Sequence, residues 1–384
     1  MSPLITLIEA IGEDRALALG GLLIGALFGF FAQRSRFCLR AAVVEVARGT
    51  LGPKLAVWLL AFSAAIIVTQ ALAIAGQFNT ANVRQLASQG SVSGALIGGL
   101  LFGAGMILAR GCSSRLLVLA ANGNLRALLS GLVFAVTAQA SMGGMLSPLR
   151  EWLGQLWTID GGGARDLLAF AGVGHHGGVL FGALWLLAGV WFAWRNRVHL
   201  NGWIGGLLTG AMVAFAWWYT FRMAALTFDP TPVKSLSFTG PSADMLMLVL
   251  TPIGKLLNFD LGMVPGVFLG SFVAAWFARE LRLEGFQGGA AMRRYLFGAV
   301  LMGFGGMLAG GCAVGAGISG AAVFALTAWL TLCGMWAGAA LTDLLVDRRH
   351  TPLATGAASP TEPTAPTTAA VASGGIGPQP HGGN

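Results

Sequence analysis

The stretch Leu-Phe-Gly-Ala-Gly-Met-Ile-Leu-Ala-Arg-Gly-Cys runs from Leu101 to Cys112, and Leu-Met-Gly-Phe-Gly-Gly-Met-Leu-Ala-Gly-Gly-Cys runs from Leu301 to Cys312. Each ends a long apolar run, each closes on a Gly-Cys step, and the copies lie 200 residues apart. Packing against lipid does not call for a thiol at the same point of both copies. The repetition points to two related halves that each bring a soft sulfur group to a shared place.

The chain around these copies has 384 residues, 55% hydrophobic and 10% charged, with mean hydropathy +0.74. A soluble domain carries about 25% charged residues. Many segments reach the roughly 20 apolar residues needed to cross a bilayer, and no strand-like alternation suggests a barrel. The spans must therefore be helices that satisfy their own backbone groups. The expectation is an all-α polytopic membrane protein with about nine transmembrane helices, at 16–33, 54–76, 90–110, 125–146, 177–196, 202–222, 263–280, 292–311 and 325–345. The first apolar run is long enough to span, so no cleavable signal is read.

Four apolar pieces are too short to cross: 36–48, 113–122, 235–255 and 312–324. They read as re-entrant or broken helices, which membrane depth tolerates only when they are buried in protein or line a cavity.

Charge fixes an orientation. With the N-terminus outside, the inner ends hold Arg34, Arg36, Arg40, Arg48, Lys54, Arg110, Arg115, Arg126, Arg195, Arg197, Arg279, Arg282, Arg293, Arg294, Arg348 and Arg349, sixteen of the twenty-three basic residues. The outer ends keep Arg15, Arg84, Arg150, Arg165, Arg222, Lys234 and Lys255. This is the bias that the positive-inside rule describes, and it explains the net charge of +8 without invoking nucleic acid. It puts the C-terminus in the cytoplasm. Trp157, Trp194, Trp203 and Trp217 fall near expected span ends, as an interfacial belt requires.

The duplication then acquires a geometry. Gly20-Gly21-Leu22-Leu23-Ile24-Gly25-Ala26 opens the first span and Gly205-Gly206-Leu207-Leu208-Thr209-Gly210-Ala211 the sixth, while the Gly-Cys copies match the third span to the eighth. Partners five spans apart run in opposite directions, so the halves are two inverted repeats. The expected division is an outer N-terminal segment 1–15, a first half 16–176 with Cys38 and Cys112, a linking span 177–201, an inverted second half 202–350 with Cys312, and a cytoplasmic tail 351–384. The tail is rich in Ala, Thr, Pro and Gly and reads as disordered. Inverted repeats with broken helices place a substrate site near the bilayer midplane. The glycines, Gly21, Gly25 and Gly29 among them, read as packing residues at small-xxx-small spacing.

Cys112 and Cys312 each end a span and open a short helix, Ser113–Asn122 or Ala313–Val323. A helix N-terminus offers free N–H groups and partial positive charge, an anion site. Cys38 opens a third short helix after Gln33-Arg34-Ser35-Arg36-Phe37. A neutral thiol is a weak donor and a polarisable surface, and moderate binding at several sites suits conduction. Aligning the halves sets Ser237-Phe238-Thr239 opposite Arg36-Phe37-Cys38, which makes Thr239 a supporting candidate beside Arg36, Arg110 and Ser113.

Cys333 lies within a span and reads as a small core residue. Glu45 precedes Arg48 by three positions and reads as its local partner. Acids inside spans are scarce, which argues against proton or sodium coupling. His175-His176 reads as part of a solvated loop and Asn122-Gly123-Asn124 as a turn. No nucleotide-binding or hydrolase motif is present, and no catalytic residue, metal or cofactor is assigned, so the reading is a transporter and not an enzyme.

The stretches Gln33-Arg34-Ser35-Arg36-Phe37-Cys38, Ala109-Arg110-Gly111-Cys112-Ser113-Ser114-Arg115 and Gly310-Gly311-Cys312-Ala313-Val314-Gly315-Ala316-Gly317 resemble the YeeE/YedE sulfur-transport family. The likeness covers nearly the whole chain except the tail. It implies a bacterial inner-membrane protein that takes up thiosulfate or a related sulfur anion, with Cys38, Cys112 and Cys312 as pathway residues. It also implies a small cytoplasmic sulfur-carrier protein as a partner, since some relatives are fused to one or work beside one. Other relatives are linked to selenium compounds. Two alternatives stay open on the residues alone: a membrane sulfurtransferase that passes sulfur as a cysteine persulfide, and a carrier of a different small solute.

Overall fold

Glycine decides how this chain packs, because it lets helix backbones touch in a solvent that supplies no hydrophobic force between helices. A computed structural model of the protein describes residues 3–227, 231–250, 257–286 and 288–347. Lys255, Arg348, Arg349 and the tail 351–384 lie outside the described residues.

The first part of the chain forms α1 (Pro3–Ile11), α2 (Glu13–Ser35), α3 (Leu39–Ala47), α4 (Pro53–Ile74), α5 (Arg84–Ala87), α6 (Val92–Leu108), α7 (Ser113–Ala121), α8 (Leu125–Gly143), α9 (Ser147–Gln155) and α10 (Leu167–Ala171). Then come α11 (Gly174–Arg195), α12 (Leu200–Ala224), α13 (Thr239–Leu250), α14 (Phe259–Phe277), α15 (Gly289–Leu308) and α16 (Leu326–Thr342). π-helical turns occupy Gly315–Gly320 and Asp343–Asp347. One two-residue strand pair, Gly90–Ser91 with Thr158–Ile159, ties loops together.

This is an all-α polytopic membrane protein. Each of the nine expected spans coincides with a long helix, and eight of the nine are long and apolar enough to cross a bilayer. The ninth, α15, falls short because Arg293 and Arg294 lie in its second turn.

Helix α2 lies along α14, and α4 along α12; α6 lies along α16, and α8 along α15. In addition α2 meets α12 and α6 meets α15. Exchanging α2 with α12, α4 with α14, α6 with α15 and α8 with α16 leaves this set of neighbours unchanged.

The closest pair is α2–α14. A Cβ at Gly21, Gly25 or Gly29 would overlap the carbonyl oxygens of Phe259, Met263 and Val267. In return, a Cβ at Gly262, Gly266 or Gly270 would overlap those of Ala18, Leu22 and Ala26. The α6–α15 crossing is also reciprocal: Gly98 faces Gly305 and Gly105 faces Gly298, with an added Cβ on any of the four only 2.5–2.8 Å from the facing carbonyl oxygen.

Ion pairs gather the arginine-bearing termini at one end. Arg48 donates to both carboxylate oxygens of the fully buried Asp343, at 2.9 and 2.7 Å. Arg294 pairs with Asp347 at 2.6 Å, Arg40 approaches it at 3.6 Å, and Arg36 pairs with Glu280 at 3.0 Å.

Several expectations are corrected. Glu45 does not pair with Arg48. It accepts the N–H groups of Lys54 and Leu55 at 3.2 and 2.8 Å and so closes the start of α4, whose free donors outbid a local ion pair. Cys333 is exposed on α16 and not in the core. Trp217 is not interfacial; it is fully buried and donates to the Ser319 carbonyl at 3.2 Å. His175 and His176 belong to the first turn of α11, and His175 Nδ1 lies 2.9 Å from Gln70 Oε1. Residues 312–324 are not one short α-helix: the π turn fills Gly315–Gly320 and only 321–322 continue it as α-helix. Helix α14 starts four residues earlier than expected, which places the buried acid Asp260 in its first turn.

Two outcomes test this packing. Gly270→Val should yield little folded protein in detergent, whereas Gly131→Ala, with nothing within 4 Å of an added Cβ, should match or exceed the wild-type melting temperature, since Ala outranks Gly in a helix by about 1 kcal/mol. Arg48→Ala strands the Asp343 carboxylate and should cost about 3 kcal/mol, read as a lowered unfolding midpoint.

Candidate functional site

The three thiols sit where helices are interrupted and restarted. Helix α2 ends with Arg36 in the left-handed region (φ 54°), and Phe37 N–H returns to the Ala32 carbonyl at 3.0 Å. The chain then straightens, and Cys38 is the extended residue before α3. Helix α6 ends the same way. Arg110 is left-handed (φ 55°), Gly111 N–H reaches the Met106 carbonyl at 3.1 Å, and Cys112 is the extended residue before α7. Two hundred positions on, Gly310 is left-handed (φ 75°) and Gly311 N–H reaches the Gly306 carbonyl at 2.9 Å. A left-handed residue past a helix end lets these bonds satisfy carbonyls that lipid cannot.

Each sulfur faces the backbone N–H three residues on: Cys38 that of Ala41, Cys112 that of Arg115, and Cys312 that of Gly315 at 3.4 Å. Cys312 also accepts from Phe238 N–H at 3.3 Å. Beyond the sulfur the two Gly-Cys copies diverge. After Cys112 the chain is α-helical, whereas after Cys312 it is a π turn, held by Trp217 on the Ser319 carbonyl and by Ser319 Oγ on the Leu236 carbonyl at 2.8 Å.

The structure brings Cys38 and Cys112 together, thiol to thiol. Ser114 Oγ lies 3.4 Å from Cys112 Sγ, and Arg115 and Arg40 are the cations acting on Cys38. Arg115 donates to Gln33 Oε1 at 3.3 Å, Gln33 donates to Glu280 at 2.9 Å, and Arg36 pairs with the same carboxylate. This relay lines a cavity of about 420 Å³ at the arginine-rich end, together with Asn122, Arg279 and Arg282.

Cys312 belongs to the opposite side. Gly311 and Thr239 line a second cavity of about 500 Å³, whose charged residues are Arg84, Arg150, Lys234, Asp244 and Asp260. Phe238, whose N–H meets Cys312, packs on Phe28 of α2 with ring centroids 5.8 Å apart.

The supporting candidates divide. Ser113 and Thr239 are buried, and neither hydroxyl has a hydrogen-bond partner among the described residues. Thr239 opens α13 as Leu39, one residue past Cys38, opens α3, and its side chain packs beside Gly306. Arg36 reaches the first cavity but not the thiols. Arg110 is exposed at its helix end and lines neither cavity. Sequence reasoning missed Gln33, Glu280 and the Lys234–Asp260 pair, which are joined across 247 and 26 positions. A buried acid close to a span's start was the one available signal for Asp260.

The chain matches the family described as Sulphur transport over residues 34–341, from the end of α2 to the last turn of α16. It is 27% identical over 368 residues to the thiosulfate transporter TsuA of Escherichia coli K12, covering 90% of this chain and 99% of that protein. It is also 27% identical over 332 residues to the thiosulfate transporter TsuA of Spirochaeta thermophila, covering 82% and 96%. A shorter stretch of 97 residues is 34% identical to the probable transporter YedE of E. coli, 24% of either chain. The broken helices, the paired cavities and the thiols thus belong to a member of the Sulphur transport family.

Proposed function

We propose that this protein takes up thiosulfate, or a closely related sulfur-bearing anion, across the bacterial inner membrane along a path lined by Cys312, Cys38 and Cys112. The observation that carries the reading is the common setting of the three sulfurs, each at a restarted helix against the N–H three residues on. Such ends attract anions. A neutral S–H gives a weak donor and a polarisable face, which holds an anion without trapping it. Family membership and the names of the TsuA relatives support the substrate class. Ser113 and Thr239 add hydroxyl donors that have no other partner among the described residues.

In this reading the arginine-rich end is cytoplasmic, the N-terminus is outside and the C-terminus inside. The halves 16–176 and 202–350 are inverted repeats joined by 177–201, a relation supported by the unchanged set of helix neighbours on exchange. The anion enters at the Cys312 cavity and leaves at the Arg115 cavity, where a small sulfur-carrier protein is a candidate receiver.

One observation favours a second reading. Two thiols in contact beside a guanidinium suit sulfur transfer, in which a thiolate attacks the outer sulfur of thiosulfate, the S–S bond breaks, and sulfite leaves with the bonding pair while a persulfide remains.

Uptake of labelled thiosulfate by cells lacking other importers tests the first reading. Cys112→Ala and Cys312→Ala should each lower uptake roughly ten- to a hundredfold, the equivalent of losing one hydrogen bond to a charged group; wild-type rates from either would overturn the pathway. Intact mass after thiosulfate exposure separates the readings. An unchanged mass supports passage of the whole anion, and a gain of one sulfur atom lost in Cys112→Ala supports transfer.

A further inference from the structure

The cavity beside Cys312 holds an ion pair that the thiol pathway does not use. Lys234 Nζ lies 2.5 Å from Asp260 Oδ2, and both side chains line the cavity. The Lys234 main chain is fixed on both sides. Its N–H donates to Thr220 Oγ1 at 3.2 Å, Thr220 Oγ1 donates to its carbonyl at 2.6 Å, and Ser235 Oγ donates to the Val213 carbonyl at 2.7 Å. The lysine side chain itself is 29% exposed toward the cavity. Asp260 is held in the first turn of α14 behind the Asn258 cap, its side chain 10% exposed.

The groups that act on Asp260 are Lys234, Asp244 of α13 and Arg84 of α5. Tyr219 of α12, whose ring lies beside Phe259, is turned away and gives its hydroxyl to the Ala16 carbonyl. Thr239, 2% exposed and with its hydroxyl unpartnered among the described residues, lines the same cavity, its side chain against Gly306. Three cations, Arg84, Arg150 and Lys234, line this cavity together with Thr239 and several glycines, and Lys234 among them is occupied by an internal carboxylate.

We infer that Lys234 and Asp260 form an exchangeable ion pair: an arriving divalent anion takes the Lys234 ammonium and the Thr239 hydroxyl, and the released Asp260 carboxylate takes one proton from water in the cavity. This rests on reading the cavity as the anion's entrance. The lysine can pair fully with one partner only. A dianion beside Asp260 and Asp244 leaves the carboxylate facing like charges, and a carboxylate so placed binds a proton. Arg84 and the positive end of α14 oppose this, the latter as a partial charge only. The step forms one O–H bond at Asp260 and exchanges one ion pair for another.

Calorimetric titration of the purified full chain with thiosulfate and sulfate, both fully divalent at pH 6 and pH 8, in buffers of different ionisation enthalpy at those two pH values, counts the protons. Wild type should take up about one proton per divalent anion and bind more tightly at the lower pH. Asp260→Asn should bind anion with no proton uptake and with affinity independent of pH. Lys234→Ala should lose about tenfold or more in affinity, and Lys234→Arg should recover most of it. If Lys234→Ala does not fold, Asp260→Asn and Lys234→Arg decide. Proton uptake that persists in Asp260→Asn, or wild-type affinity in Lys234→Ala, overturns the inference. Wild-type binding without proton uptake overturns the exchange and leaves the transport reading standing, whereas a wild type that binds neither anion overturns both.

Discussion

Every feature of the candidate pathway depends on one constraint: a helix broken at membrane depth exposes carbonyls and N–H groups that lipid cannot satisfy. This chain solves the carbonyl side within each break. Left-handed residues at Arg36, Arg110 and Gly310 turn the following N–H back onto the helix just ended. The N–H side of the next element is left for the sulfur at its start and for whatever enters from the cavity. A break closed in this way can stand inside the bundle, and a thiol placed just after it points at donors instead of at acyl chains.

Close packing makes room for those breaks. Helices α2 and α14 touch backbone to backbone through six glycines, and α6 and α15 through four. Contacts this tight leave the short elements α3, α7, α13 and the π turn at Gly315–Gly320 wrapped by longer helices on several sides. The two exchangeable sets of helices are alike in neighbours and unlike in chemistry. Where Arg110 precedes an α-helix, Gly310 precedes a π turn; Cys38 stands just before α3, whereas Thr239 is the first residue of α13. The two cavities differ accordingly, one dominated by a guanidinium–amide–carboxylate relay and the other by an ammonium–carboxylate pair beside a buried hydroxyl.

Much of this was legible in the residues. The nine spans, the four interrupted pieces and the repeated Gly-Cys step follow from hydropathy and spacing, because lipid imposes length and composition on each helix separately. Whatever is set by long-range contact was not legible. The Gly262, Gly266 and Gly270 ladder has the same spacing as the Gly21, Gly25 and Gly29 ladder, yet nothing in either segment says that they face one another. Arg48 had a neighbour three positions away in Glu45 and chose Asp343, 295 positions away, because Glu45 was needed by the first N–H groups of α4. Trp217 looked interfacial by its place near a span end, and its burial is decided by a carbonyl of the π turn. Asp260 escaped notice because a four-residue error at the start of α14 moved it out of the span.

Cys333 is the thiol that the proposed pathway leaves out, and its exposure on α16 has a practical side. The two fully buried sulfurs, Cys112 and Cys312, are shielded by the bundle, whereas this one is open to any reagent that dissolves in the surrounding hydrocarbon or detergent. Lipid-soluble thiol reagents therefore have access to a sulfur outside the proposed path, so inhibition by such reagents gains meaning only on a background from which that position has been removed.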